Sequence, residues 1–402
     1  MLNAIGNSGR ILIVTPQPFY EDRGTPIAVR YLATALSELG ANVDLLAFPV
    51  GKDVRIANVH ITRSANPLAL GSVPVGFSWR KLVLDAGLWQ AFTRLLRAGD
   101  YQLVHAVEEA AWMAAAICPH LGVPFIYDMA SAIPVEMSRS APFKASWMRG
   151  LLSRVERRVL HSASRVICSS GLAGYVARQA PEANVREWLF PAFNDRVDGH
   201  RAVALRMDLG LSPDQRVVLY TGNLASYQGL GLLLEAFDLA RQRRPELVLV
   251  CVGATEKELR SREARAWLER PALRLLPRQP REKMAEFLKL ADFLVLPRVG
   301  VENVPLKLFD YMAAGKPIIA TRGPAHEPFL NPSRGFMAAP EAGKFSAALV
   351  SACESPERAA TVAQSAQAYA RQHFGWERFV EFVRTTYSDA LIEVQELKRL
   401  VA

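Results

Sequence analysis

"ENVPLKLFDYMAAGKPIIAT", residues 302–321, changes character three times. It opens polar, runs as an amphipathic helix from Pro305, breaks at Gly315-Lys316-Pro317, and ends in a β-branched run. Loop, helix, break and strand in that order are the repeating unit of a parallel α/β sheet. Pro305 suits a first helical turn, where its missing N–H costs nothing. The free amides from Asn303 to Lys307, which include those of Val304 and Leu306, then point into the preceding loop. With the positive end of the helix dipole they suit a phosphate or diphosphate. Two carboxylates, Glu302 and Asp310, stand eight positions apart. Asp310, on the helix, suits the vicinal diol of a ribose; Glu302, in the loop, suits the hydroxyls of a sugar. Taken together they describe a nucleotide-sugar site. Two acids at this spacing are common by chance, so the weight rests on the whole string and its context.

Outward from this stretch the same unit recurs. "RILIVTPQP" (10–18), "NVDLLAF", "YQLVHAV", "VPFIYDM" and "SRVICSS" read as buried strands with helices between them. After "WLFPAFNDRVDGHR" the alternation restarts with "RVVLYTG", "ELVLVCVG", "LRLLP", "DFLVLP" and "KPIIAT". The fold class is therefore α/β, with two doubly wound, Rossmann-like domains expected to face each other across a cleft. Polar, Pro and Gly residues between about 190 and 214 place the boundary. The division expected is 1–195, 196–375, and a closing helix over 376–402 that packs back on the first domain. A chain of 402 residues has the length for two such cores.

The formal charge is +9, with 50% hydrophobic and 22% charged residues. No apolar run reaches membrane-spanning length, and the opening residues have no signal-peptide architecture. Cys118, Cys168, Cys251 and Cys353 are far apart and lack metal-ligand spacing, as expected of reduced thiols in a cytosolic protein. The charge is concentrated. Between Met137 and Arg165, seven basic residues, among them Arg149, Arg154, Arg157 and Arg158, face one acid, Glu156, for a net +6. Trp147, Met148, Leu151, Leu152, Val155 and Val159 are interleaved at helical spacing. Two readings stand: a helix that lies on an anionic membrane surface, or a core helix with a solvated basic face. Nucleic acid is set aside, because no aromatic stacking motif or known module accompanies the charge.

In doubly wound sheets the residues just past the strand ends meet the ligand. In the first domain these are Gly24 and Thr25, then His105, Glu108 and Glu109, then Asp128. In the second they are Gly222, Asn223 and Gln228, then Arg278, then Arg298, Asn303 and Lys307. The first strand–helix turn lacks G-x-G-x-x-G, which counts against an NAD or FAD enzyme, and no Walker A, H-E-x-x-H or G-x-S-x-G occurs. His105 reads more readily as a packing residue than as a base. Glu108 and Glu109 suit either an acceptor hydroxyl or the first turn of a helix.

These stretches resemble a family. "ENVPLKLFDYMAAGKPIIAT" is similar to the E-x7-E region of family 4 glycosyltransferases of GT-B fold, with Asp310 in place of the second acid. "YTGNLASYQGLGLLLEAF" resembles their glycine loop, "LLPRQPREKMAEFLKLADFLVLPR" the segment before the donor motif, and "FGWERFVEFV" their closing helix. "HAVEEAAWMAAA" and "VPFIYDM" resemble strand ends of their acceptor domain. The resemblance runs from about residue 10 to 395. It implies transfer of a hexose-type sugar from a UDP- or GDP-sugar to a hydroxyl acceptor, with retention and without a metal. It implies that Glu302 contacts the donor sugar, Asp310 the ribose, and backbone near Gly24 the diphosphate. Joined to the basic segment, it predicts a lipid-linked or glycan acceptor and a peripheral place on the inner face of a bacterial membrane.

The chain departs from the pattern twice. Where many relatives carry Arg and Lys in the glycine loop it has Asn223 and Gln228. Arg298 and Lys307 are the candidate replacements, although Lys307 reads equally well as a solvated helix residue. Ala130 stands where relatives place His or Asp beside the reacting sugar. Either Asp128 or Glu109 takes that role, or the chain is an inactive form. A nucleotide-sugar binder without turnover and a GT-B epimerase are therefore the alternatives.

Overall fold

The computed structural model of the chain describes residues 9–71, 73, 78–138, 145–192, 199–270, 272–300 and 303–401. The chain divides into two compact units, Met1–Leu189 with Trp376–Ala402, and Phe190–Gly375.

The first unit is built on seven parallel strands: β1 (Arg10–Pro18), β2 (Asn42–Phe48), β3 (Val59–Arg63), β4 (Tyr101–Val107), β5 (Phe125–Met129), β6 (Arg165–Cys168) and β7 (Val185–Glu187). Their order is β3-β2-β1-β4-β5-β6-β7. Strands this apolar are buried on both faces, as a parallel sheet requires. Leu12, Val14, Val104 and Tyr127 meet Leu84, Leu88 and Phe92 of the helix Trp79–Ala98 and Val159 and Leu160 of the helix Ser146–Ser162 in one cluster. The strand order reverses between β1 and β4, so the chain ends of those two strands flank the switch point of this sheet.

The sequence reading places no element between Phe48 and Tyr101. The structure has β3 and the twenty-residue helix Trp79–Ala98 there. That helix turns Leu82 and Trp89 outward, which blurs its apolar periodicity. The closing helix, Trp376–Val401, belongs to this unit. Phe379, Val383 and Tyr387, spaced by four, form its buried stripe, and Trp376 and Phe379 pack edge-on against Tyr31.

The second unit has six parallel strands: β8 (Arg216–Thr221), β9 (Leu247–Ala254), β10 (Leu273–Pro277), β11 (Phe293–Leu296), β12 (Ile318–Thr321) and β13 (Phe336–Ala338). They are ordered β10-β9-β8-β11-β12-β13, so the switch point lies between β8 and β11. From Asn303 onward the opening stretch folds as read. Pro305 caps the helix Leu306–Ala313, which buries Leu308, Phe309, Tyr311 and Met312, and Gly315 ends it at φ 65° before β12. All four cysteines are free and buried. Among the described residues no helix is long and apolar enough to cross a membrane.

Candidate functional site

In the second unit the switch point gathers two cations. The Lys307 Nζ donates to the carbonyl of Thr221 at 2.6 Å and to Gln228 Oε1 at 3.1 Å, and lies 4.2 Å from the Tyr220 ring centroid. Arg298, at the end of β11, is 5% exposed and donates to the Asn303 carbonyl and to Asn303 Oδ1, both at 2.9 Å. Burial and the nearby Arg298 hold Lys307 well below the usual lysine range; burial also lowers Arg298. Neither cation has a carboxylate partner among the described residues. Two half-compensated positive groups at one strand end are an arrangement that an anion relieves.

The glycines of the β8 turn are required by this packing. Gly222 has φ 139°, and a Cβ there would come 2.8 Å from Lys307 Nζ. Gly229 has φ 74°, and a Cβ would fall 1.9 Å from the Pro297 carbonyl oxygen. Asn223 shapes the turn from within: its Oδ1 accepts from the Ala225 amide at 3.2 Å and its carbonyl from Tyr220 Oη at 2.7 Å. Asp310 is 4% exposed and bidentate to Arg281, with bonds of 2.6 and 2.7 Å. Arg278 is exposed, with its amide bonded to Ala254. Val304 packs on the core, and Leu306 is half-buried. Glu302 lies outside the described residues.

In the first unit, Glu108 follows β4 at φ 50°, a left-handed conformation that few side chains adopt. Its amide is tied to the Asp128 carbonyl, and its Oε2 accepts from Gln17 at 2.7 Å. Gln17 in turn accepts from Arg23 at 2.7 Å. Glu109 pairs with Lys81, and Asp85 stands beside them. Burial, then Glu109, pushes Glu108 and Asp85 up to about 7. Burial pulls Lys81 down, but Glu109, Glu108 and Asp85 outweigh it and raise it.

His105 and Asp128 point into the core instead. Trp188 Nε1 donates to Asp128 Oδ1 at 2.6 Å, Asp128 Oδ2 lies 3.3 Å from His105 Nε2, and the Tyr387 hydroxyl lies 2.7 Å from His105 Nδ1. Both Asp128 oxygens are thus engaged by neighbours in its own unit. Ala130 is half-buried just past β5, Thr25 is half-buried, and a Cβ on Gly24 would meet no protein atom within 4 Å. Arg149, Arg154, Arg157 and Arg158 are all exposed on the helix Ser146–Ser162.

The structure therefore brings together Gly222, Gln228, Arg298, Asn303 and Lys307 in one unit, and Glu108, Glu109, Gln17, Arg23 and Lys81 in the other. Arg281, Lys81, Gln17 and Arg23 are absent from the sequence-derived candidates. Arg281 does lie in the "PREKM" stretch quoted for the resemblance; the other three carry no local signal.

Residues 204–369 match the family described as Glycosyl transferases group 1, and residues 23–186 match Glycosyltransferase Family 4. A D-inositol 3-phosphate glycosyltransferase of Jonesia denitrificans is 27% identical over 241 residues, 55% of this chain and 56% of that one. A lipopolysaccharide 1,2-N-acetylglucosaminetransferase of Salmonella typhimurium is 29% identical over 126 residues, 29% of this chain and 33% of that one. With 44% of a Segniliparus rotundus relative matched, the chain spans about half the length of the first of these relatives. Sucrose-phosphate synthase from Thermosynechococcus elongatus shares the fold at TM-score 0.75 and 20% identity, over 96% of this chain and 100% of that one. HepE of Anabaena, solved with UDP-glucose, does so at TM-score 0.73 and 18% identity, over 95% and 100%. Two parallel, doubly wound sheets and two family matches in chain order agree: the chain belongs to the family 4-like glycosyltransferases of GT-B fold.

Proposed function

We propose that this protein transfers a hexose-type sugar, with retention, from a nucleoside diphosphate sugar to a hydroxyl acceptor. The second unit binds the donor and the first the acceptor. The observation that carries this is the pair Lys307 and Arg298 at the β8/β11 switch point. Lys307 sits where its ammonium reaches Gln228 and the glycine turn, so the helix supplies the cation that the loop lacks. A leaving diphosphate bonded by Lys307, Arg298 and the amides ahead of Leu306 is stabilised as its charge develops. Asp310 accepts the ribose hydroxyls, and Glu302 is assigned the donor sugar on the family pattern. A UDP-sugar is the first donor to try, given the ligand in the HepE structure.

For the acceptor, Glu108 is favoured over Asp128. Glu108 Oε1 takes no hydrogen bond from the described residues, whereas both Asp128 oxygens are engaged. Around Glu108, Lys81 is committed to Glu109 with Asp85 alongside. That balance disfavours a phosphorylated acceptor of the kind named for the Jonesia relative and favours a neutral hydroxyl on a glycan or lipid-linked sugar. Support for a lipid-linked acceptor comes from the helix Ser146–Ser162. Trp147 is 68% and Leu151 48% exposed, and with Arg154 and Arg158 they fall on one stripe at i, i+4, i+7 and i+11. An indole, a leucine and two guanidinium groups on one face suit an anionic bilayer surface, which supports a peripheral association with such a membrane.

The deciding experiment is calorimetric titration with UDP, GDP and ADP, followed by turnover of the matching labelled sugar donors on polyprenyl-linked and free glycan acceptors. Tight binding of one nucleotide with transfer supports the proposal. Binding with no transfer to any acceptor favours the non-catalytic binder, and conversion of the donor sugar alone favours the epimerase.

A further inference from the structure

The donor and acceptor assignments leave Gln17 without a role. Gln17 lies near the end of β1 and Glu108 follows β4, so a bond between them crosses the gap at which the strand order of the first sheet reverses. The ladder between these strands ends at Val14 and Ala106, and the Gln17 bond joins them beyond it. Gln17 is half-buried, the one residue from Ile11 to Tyr20 that is not fully buried. Its Nε2 donates to Glu108 Oε2 at 2.7 Å, and its Oε1 accepts from Arg23 Nη2 at 2.7 Å. A guanidinium can only donate and an ionised carboxylate can only accept, so a primary amide fits between them in one orientation. Arg23, which also meets Glu21 at 3.1 Å, thereby decides which end of the amide faces Glu108. An amide locked with its N–H toward a carboxyl group favours the ionised form. The main chain of Glu108 is fixed as well, at φ 50° with its amide on the Asp128 carbonyl at 2.9 Å.

We propose that Gln17 is a positioning residue for the acceptor: its amide, oriented by Arg23, holds the Glu108 carboxylate ionised and turned so that Oε1 takes the hydrogen bond of the incoming hydroxyl. This rests on the placement of the acceptor at Glu108. Most of what surrounds that carboxylate works against its charge. Burial first, then Glu109, push Glu108 up to about 7, with a smaller push from Glu136 on the helix Ile133–Ser138. The Tyr127 hydroxyl of β5 feels the same charge. Lys81, on the helix Trp79–Ala98, acts the other way, but it pairs with Glu109 and stands beside Asp85. Gln17 supports the ionised form from the opposite strand. Being neutral, it stabilises the charge without forming an ion pair that an acceptor would have to displace.

Protein labelled with carbon-13 at the glutamate side-chain carboxyls reports the titration of Glu108 directly, its signal identified by loss in Glu108→Gln. The group should titrate near pH 7 in the unmodified protein, at higher pH in Gln17→Met, which removes the donor, and at lower pH in Gln17→Lys, which adds a cation. Transfer to polyprenyl-linked and free glycan acceptors should lose rate as pH falls through that same titration in all three proteins. At neutral pH, Gln17→Met should raise the acceptor KM by about 10-fold and leave the affinity for UDP or GDP, whichever binds, within about 2-fold by calorimetry. Damage to the fold does not move one titration in opposite directions, and Gln17→Lys decides alone where the methionine variant fails to fold. An unmoved Glu108 titration, or an unmoved acceptor KM and pH profile while Glu108→Gln impairs transfer, overturns the inference and leaves the acceptor at Glu108 standing. Full transfer by Glu108→Gln, or none by the unmodified protein, overturns the acceptor placement and the inference with it.

Discussion

Lys307, the cation proposed to meet the donor diphosphate, is held at the expense of the fold. Its ammonium is buried against Tyr220 and beside Arg298, and its pKa is lowered well below that of a free lysine. A base depressed in this way is harder to keep charged once folded, so its burial opposes folding at every pH below the ordinary lysine value. Lys307→Met should therefore leave the melting temperature unchanged or raise it, while weakening nucleoside diphosphate binding by about 10-fold, about 1.4 kcal/mol. Differential scanning fluorimetry and calorimetry on the same preparations check both halves. A bound diphosphate favours the charged form of the lysine, so affinity should fall as pH rises through the lysine's own titration, with proton uptake seen there as buffer-dependent binding enthalpy.

Among the elements, the turn from β8 into the helix Leu230–Arg243 is the most constrained. Gly229 is the N-cap of that helix at φ 74°, with the Pro297 carbonyl occupying the space of a side chain. Gly229→Ala meets both a disfavoured backbone conformation and a hard clash. It should cost about 2 kcal/mol or more, measured by urea unfolding, and should loosen the loop that carries Gln228. The helix Ser146–Ser162 offers the contrasting case. Its inner face buries Leu152, Glu156, Val159 and Leu160, so Trp147 and Leu151 stand outside and contribute little to the core. Replacing Trp147, Leu151, Arg154 and Arg158 together should leave the melting temperature within about 2 °C, as surface changes do. The same variant should lose co-flotation with phosphatidylglycerol vesicles, which in the unmodified protein weakens with salt.

For the molecule as a whole, three carboxyl groups of the first unit lower stability as pH rises, while buried His326 of the second unit, pulled down to about 4 mainly by burial, acts the other way below the ordinary histidine value. Glu156 is fully buried and accepts from Trp112 Nε1 at 2.7 Å and Tyr127 Oη at 3.0 Å, yet burial still pushes it up to about 7. Asp85 and Glu108 are raised to about 7 as well. A carboxyl whose pKa is higher folded than unfolded contributes stability that is complete below the unfolded value and lost as pH rises through the folded one. These three groups should therefore contribute more stability near pH 5 than near pH 8. Glu156 alone accounts for on the order of 3 kcal/mol of that fall. Glu156→Gln should flatten the curve between pH 5 and 8, read from chemical denaturation at each pH.

The part of this molecule legible from sequence is the part in which neighbours along the chain decide the outcome. Apolar runs bounded by turn residues mark β1, β2, the strands from β4 to β6 and those from β8 to β12, because strand burial and helix periodicity are local patterns. The stretch 303–321 folds as its own residues dictate, with Pro305 at the start of the helix and Gly315 at its end. The strand ends follow from the strand order, so Gly222, Arg298, Lys307 and Glu108 could be named in advance. Tertiary structure decided what those residues touch. The Arg281 and Asp310 pair spans 29 positions, Lys307 and Gln228 span 79, and Gln17 and Glu108 span 91. Tyr387 reaches His105 across 282. Which side chain completes a cation's shell, and which acid is tied up in the core, depends on strand order and helix packing between distant segments. No pattern within a few turns of chain encodes that.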